Sequence, residues 1–397
     1  MNSYTVAAVW IALALIASMV SIRAGIAVAL TEILLAAIAG NLPLVSQLIQ
    51  QTDFTTFLAS IGSVTLTFLA GAEIDPVSLR RHWKPSLATG LVSFFVPFLA
   101  AMAVSYYALH WSAPAAEVAG VALSTTSVAV VYAVMVETGL NREELGKLIL
   151  AACFVTDLGT VLALGILFAG FSGLLVVFAV VTVIAAIGVA PALRLVIRFF
   201  GPRVSEPEIK FLLLVLLGLG GLATAAGSEA VLPAYIVGLA SAGVFHGNRV
   251  LMDRMRSIAF AFLTPFFFIR AGVLISAAAL VAGAGLIAAL FGTKMAAKLI
   301  GVWPVAAAFG IGVRDRNYVT LLMATGLTFG SIAALYGLNH ALVTRAQYSV
   351  LVTVVILSAV LPTLVAQRLF QPQIVDAEEE EALGAEDASI VHRHSRH

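Results

Sequence analysis

Charge is scarce in this chain. Only 11% of its 397 residues are Asp, Glu, Lys or Arg, whereas 61% are apolar. A water-soluble fold of this length would expose that composition as one continuous apolar patch, so a soluble globular protein is excluded. Cys153 is the single cysteine, which rules out a disulfide framework and a cysteine zinc cluster. No His-Glu-x-x-His or Gly-x-Gly-Asp run and no cluster of buried histidines is present, which argues against an intramembrane enzyme. The alternating ten-residue pattern of a membrane β-barrel is missing as well. The first residues carry no basic start, so the opening apolar segment reads as a retained helix rather than a signal peptide.

What the sequence does contain is a succession of apolar segments, each long enough to cross ~30 Å of hydrocarbon as a helix. Thirteen are read, centred on Ala14, Leu34, Leu66, Pro97, Val128, Leu158, Val180, Leu217, Ile236, Pro265, Leu290, Thr325 and Val355. The fold class is therefore an all-α polytopic membrane protein whose membrane domain covers residues 1–370. Basic residues fall in alternate connections: Arg23; Arg80, Arg81 and Lys84; Arg142 and Lys147; Arg194, Arg198, Arg203 and Lys210; Arg249, Arg254 and Arg256; Arg314 and Arg316. Arg345 is the exception. Positive-inside bias then implies an external N-terminus, an odd number of spans and a cytoplasmic C-terminus. The tail, residues 371–397, holds an acidic run (Asp376, Glu378 to Glu381) and a His/Arg end. It is too polar and short to pack and is expected to be disordered. No nucleotide-binding segment follows the apolar region, so regulation by that route is not expected.

Asp157 is the most informative residue. It lies in the middle of an apolar segment, where a carboxylate is costly unless it pairs or faces a wet cavity, and such residues are usually functional. It points to movement of protons or cations. Other ionisable groups placed within or near the spans are Glu32, Arg270, Lys294 and Lys298, with Glu73, Glu137 and Glu229 near helix ends. Lys294 and Lys298 are spaced i, i+4 and share a helix face. At least one should find a carboxylate or reach an interface, and Lys298 is expected to point toward Asp157. Arg270 is read as a structural partner to an acidic group or carbonyls. Glu32 is read evenly as a packed hydrogen bonder or part of a pathway.

Two segments look interrupted. Ser124, Thr125, Thr126 and Ser127 are consecutive hydroxyls in the fifth span, and Gly326, Thr328 and Gly330 punctuate the twelfth. Small-residue packing explains either run alone. Together with Asp157, the pair indicates unwound helices whose free ends face an ion. Thr126, Ser127 and Thr156 would supply neutral oxygens suited to a hard cation.

Four motifs resemble the monovalent cation/proton antiporter superfamily, in particular its NapA-like and Kef-like branch. Phe68-Leu69-Ala70-Gly71-Ala72-Glu73-Ile74-Asp75 is similar to its F-L-A-G-x-E-x-D. Leu123-Ser124-Thr125-Thr126-Ser127-Val128-Ala129-Val130 is similar to its unwound helix. Thr156-Asp157 stands where the family has a two-residue carboxylate motif, and Lys298-Leu299-Ile300-Gly301 resembles its K-x-x-G. The resemblance implies an NhaA-like inverted-repeat fold with two broken, crossing helices. A core would move against a dimerisation part, the fifth, sixth, eleventh and twelfth helices would cross in the core, and the protein would be a homodimer. It also implies exchange of Na+ or K+ for protons in a bacterial inner membrane, with no cofactor, nucleic acid or enzymatic role. Thr156 replaces a second acid, so Asp157 alone is carried over as proton and cation carrier, whereas Lys298 matches the lysine of electrogenic members. A cation channel would require filter loops of carbonyls that are not seen. A sodium-coupled organic-anion symporter of similar fold would need a larger pocket.

Overall fold

The computed structural model describes residues 3–24, 27–49, 51–72, 76–167, 173–201, 203–228, 230–275 and 277–372. Glu73, Asp75, Glu229 and residues 373–397, on which expectations were placed, lie outside them. Among the described residues the chain is entirely helical, as a backbone in hydrocarbon must be if its amides are to be satisfied internally. In order the helices are α1 (Ser3–Ala24), α2 (Val28–Asn41), α3 (Pro43–Ser46), α4 (Asp53–Ala72), α5 (Pro76–Ala103), α6 (Ala113–Ser124), α7 (Val128–Glu137), α8 (Glu144–Leu167) and α9 (Gly173–Phe200). They continue with α10 (Pro207–Ala225), α11 (Val231–Gly247), α12 (Arg249–Ile258), α13 (Thr264–Val273), α14 (Ala277–Ala282), α15 (Ala284–Ala308), α16 (Val313–Met323), α17 (Thr328–Asn339) and α18 (Arg345–Val365).

Their ends follow local chemistry. Thr344 and Gln347 form a capping box at the start of α18, and Asn248 accepts the Leu251 N–H at the start of α12. Gly139, at φ 75°, turns the chain out of α7, a conformation that glycine adopts without penalty. Pro265 lies in the first turn of α13, directly after the π-helical segment Ala259–Leu263. The missing N–H of Pro265 thus falls at a widened turn.

Among the described residues, ten helical stretches are long and apolar enough to cross a membrane, so the chain is a polytopic membrane protein. The thirteen-segment reading also counts α8, of 24 residues, and two shorter apolar helices, α2 and α11. At 1.5 Å per residue, the 14 residues of α2 reach only ~21 Å. The segment centred on Thr325 is not one helix but the join between α16 and α17.

The helices pack as two groups. In one, α11 lies on α4, α13 on α2 and α4, and α9 on α10 and α11. In the other, α5 packs on α6, α8 and α15, while α17 packs on α6 and α18. They meet where α4 and α2 touch α7, and where α2 touches α18. Several basic connections come together at one end. Arg254 pairs with Glu206 at 2.9 Å, and Arg142, Lys147, Arg249 and Arg256 wall one cavity of about 200 Å³. Arg368 donates to Ala24 O at 2.6 Å.

Glycine sets the crossing of α4 and α11. A Cβ on Gly71 would strike Tyr235 O, and one on Gly238 would strike Phe68 O, so α4 and α11 touch backbone to backbone. Gly243, on the same helix, has nothing within 4 Å of a Cβ position. Gly238→Val should therefore destabilise the protein by about 1–3 kcal/mol through overpacking, read as a lower thermal midpoint in detergent. Gly243→Ala should leave that midpoint unchanged or slightly raised.

Candidate functional site

Two helices break inside the second group, and the breaks cross. α6 ends at Ser124, Thr125 and Ser127 have extended backbone (ψ 153° and 107°), and α7 begins at Val128. α16 ends at Met323 and α17 begins at Thr328, with Leu327 at φ −148°, ψ −71°. The hydroxyls favour the interruption because they compete for backbone carbonyls. Ser124 Oγ donates to Val121 O at 2.8 Å, Thr125 Oγ1 to Ala122 O at 3.2 Å, and Thr325 Oγ1 to Leu322 O at 2.8 Å. Across the crossing, the Ser127 N–H donates to Thr325 O at 3.1 Å and Thr126 Oγ1 donates to Met323 O at 2.7 Å. Ser127 Oγ lies 3.2 Å from Thr328 Oγ1.

The second break is narrower than its sequence run. Gly326 lies within it, but Thr328 opens α17 and Gly330 sits in that helix's first turn. Gly330 serves close approach rather than unwinding. A Cβ there would meet Ala122 O at 2.8 Å and Thr125 Oγ1 at 2.9 Å. At Gly326 a Cβ would run into Lys294 Nζ.

Both lysines are fully buried on α15, and neither follows the expectation of a carboxylate partner or an interface. Lys298 Nζ donates to Ser93 Oγ at 2.7 Å, Ser124 O at 2.9 Å and Thr126 Oγ1 at 3.1 Å. Lys294 Nζ donates to Ser358 Oγ at 2.9 Å and Thr125 O at 3.4 Å. Lys298 is near enough for Asp157 to feel its charge, yet no ion pair joins them among the described residues. The physical reason is the broken helix itself. The last carbonyls of α6 have no partner within the helix and carry its negative dipole end, which draws a buried cationic side chain.

Asp157, on α8, sits at the opposite pole of the same break. It is 4% exposed and accepts the backbone N–H of Val128, at the positive end of α7, an arrangement that suits an anion. Its Oδ1 is buried with no hydrogen-bond partner. A buried acceptor left without a partner is uncommon in a protein interior and calls for a physical reason. The neighbouring Thr156 Oγ1 donates to Cys153 O at 2.7 Å. Cys153 itself is buried, with Sγ 3.8 Å from Met323 Sδ, in line with a packing role.

The fold therefore brings together Asp157, Thr156, Ser124, Thr125, Thr126, Ser127, Lys294, Lys298, Gly326, Thr328 and Gly330. Arg270 does not join them, nor does it find, among the described residues, the acidic group or carbonyls expected as its partner. It lines a separate cavity of about 410 Å³ with Tyr348, Ser331 and Thr328, its Nε is unpartnered, and it forms no ion pair among the described residues. That cavity reaches the inner end of the second break through Leu327 and Thr328. Sequence reading missed Ser93 and Ser358, the hydroxyls that hold the lysines. Isolated serines in apolar helices usually bond their own backbone, as Ser241 does, so nothing in the sequence distinguishes them.

Comparison with known proteins agrees with this architecture. Residues 11–371 match the family described as "Sodium/hydrogen exchanger, transmembrane". Among curated relatives, Cation/H(+) antiporter 18 of Arabidopsis thaliana is 26% identical over 337 residues, covering 79% of this chain and 41% of that protein. Probable Na(+)/H(+) antiporter 3 of Methanocaldococcus jannaschii is 26% identical over 253 residues, 62% of this chain and 65% of that protein. The chain thus spans about four tenths of the first and just under two thirds of the second. Glutathione-regulated potassium-efflux system protein KefC of Salmonella typhimurium is 25% identical over 365 residues, 84% of this chain and 55% of that protein. The solved structure of the sodium proton antiporter MjNhaP1 from Methanocaldococcus jannaschii at pH 8 superposes with a TM-score of 0.64 at 17% identity. It covers 91% of this chain and 97% of that one, and so shares the fold. The chain belongs to the transmembrane sodium/hydrogen exchanger family.

Proposed function

We propose that this protein is a secondary transporter that exchanges a monovalent cation, Na+ or K+, for protons by alternating access. The observation that carries this reading is the unpartnered, buried Oδ1 of Asp157 beside two crossing helix breaks. Asp157 holds a proton or helps to coordinate a dehydrated cation, and the two occupants exclude each other. Thr126, Ser127 and Thr156 contribute neutral oxygens. A hydroxyl that donates its proton to a carbonyl, as those of Thr126 and Thr156 do, turns its lone pairs outward, and Thr126 keeps one for a cation beside the one that accepts from Lys298. Ser124 acts through its carbonyl, which Lys298 holds. The group containing the breaks is read as the moving core and the other as the dimerisation part of a homodimer. Thirteen spans and a cytoplasmic Arg-rich end complete the reading.

Asp157→Asn should abolish cation-dependent proton flux in proteoliposomes while the protein stays monodisperse, because the amide keeps the shape and removes the charge. Substantial residual exchange would remove Asp157 from the carrier role.

Lys298 is assigned a positioning role. Lys298→Met leaves Ser124 O and Thr126 Oγ1 without their donor, and should cost about 1–3 kcal/mol of stability. Lys298→Gln should recover part of that loss by restoring an N–H, both read from thermal unfolding in detergent.

Charge balance follows from the same geometry. With one carboxylate and no Lys298–Asp157 ion pair to break, each arriving cation displaces one proton. Exchange should therefore be electroneutral, its rate unchanged when a potassium/valinomycin clamp varies the membrane potential. Flux driven by potential alone would return Lys298 to the proton cycle.

A further inference from the structure

A second acidic site lies apart from Asp157, where the two helix groups meet. Glu32 of α2 and Glu137 of α7 line a cavity of about 450 Å³. Glu137 is engaged structurally. Its Oε2 accepts the Val28 N–H at 2.6 Å, and its carboxylate also accepts from Ala29. It thereby caps α2 from another helix, where Ala27 offers no side-chain cap. Glu32 has no such engagement. It is 3% exposed, lines the same cavity, and makes no hydrogen bond or ion pair among the described residues. The charge it feels is that of Glu137, which is of like sign.

No basic side chain lines this cavity among the described residues. Its remaining polar lining consists of the hydroxyls of Ser18, Ser257 and Thr264, with Phe260 and Phe268 as part of the apolar wall. Ser18 Oγ donates to Ala14 O at 3.0 Å and Ser257 Oγ to Asp253 O at 2.8 Å, so both hydroxyls turn lone pairs outward. Glu137 is matched to the start of α2, but Glu32 faces that carboxylate and neutral oxygens with no basic side chain among the described lining residues, so it is left without a counter-ion. We propose that Glu32 and Glu137 form an accessory binding site for a small hard metal cation, separate from Asp157 and completed by the hydroxyls of Ser18, Ser257 and Thr264. Because Glu137 ends the half-helix that starts at Val128 beside Asp157, the bound cation fastens that half-helix to α2. The site does not depend on exchange at Asp157.

The test uses the full chain carrying Asp157→Asn, purified in detergent, with N-methyl-D-glucamine chloride holding ionic strength constant. Na+, K+, Mg2+ and Ca2+ are added in separate arms, which distinguish a monovalent from a divalent occupant. At least one cation should raise the thermal midpoint, and the rise should vanish when Glu32→Gln is added. Glu32 bonds nothing, so this variant loses no native contact. In a second measurement, dicyclohexylcarbodiimide labelling of Glu32 and Glu137 is followed by peptide mass spectrometry without further mutation. The labelling rate should fall about tenfold at a cation concentration roughly ten times the dissociation constant, since only the empty site reacts. A midpoint rise that survives Glu32→Gln, or no cation-dependent change in either measurement, overturns the proposal.

Discussion

The ends of a broken helix cannot be left bare in an apolar interior. Each interrupted turn frees carbonyls at one end and amides at the other, and every one left unpaired costs several kcal/mol in hydrocarbon. In this protein the cost is met by other helices. Lys294 and Lys298 bind Thr125 O and Ser124 O at the end of α6, Asp157 takes the Val128 N–H at the start of α7, and Thr126 satisfies Met323 O at the end of α16. Buried charges that would be untenable singly are thereby matched to helix poles rather than to each other. Their positions, and those of Ser93 and Ser358 behind them, all follow from the existence of the breaks.

Close backbone approach is the second requirement, and small residues provide it. Gly330 and Gly326 let the two breaks cross without a side chain between them, and Gly71 and Gly238 do the same for α4 and α11. Bulk at the crossing would separate Thr126 from Met323 O and leave the carbonyls exposed. Packing and polarity are therefore one problem here. A substitution that adds a methyl group can act as if it removed a hydrogen bond.

Much of this is legible in the chain. A carboxylate amid apolar residues marks itself by its cost, so Asp157 stands out, as does the lysine pair by its spacing. The runs of hydroxyls and glycines locate both breaks, because few other residues tolerate lost helix geometry. The partners are less visible. Attraction of opposite charges directs Lys298 to Asp157 on paper, but sequence cannot show that a nearer, preoriented helix end competes for the ammonium. Thr328 and Gly330 read as part of the unwound stretch, because a glycine that breaks a helix and one that admits a neighbour look identical in one dimension. Arg270 lacks the partner its sequence position suggests, since membrane depth alone does not reveal a cavity beside it.

The tether between the two breaks has a mechanical consequence. The Ser127 N–H to Thr325 O bond and the Thr126 hydroxyl to Met323 O bond stitch four half-helices together at their inner ends, and α15 grips the seam with both lysines. No half-helix can tilt alone without tearing a buried hydrogen bond. The cross is therefore stiff, and any compliance in the molecule is displaced to its border, where α7 meets α4 and the Glu137 carboxylate reaches across to the start of α2. In such a body, deformation is cheap at the seams between helix groups and expensive at the point where charge is buried.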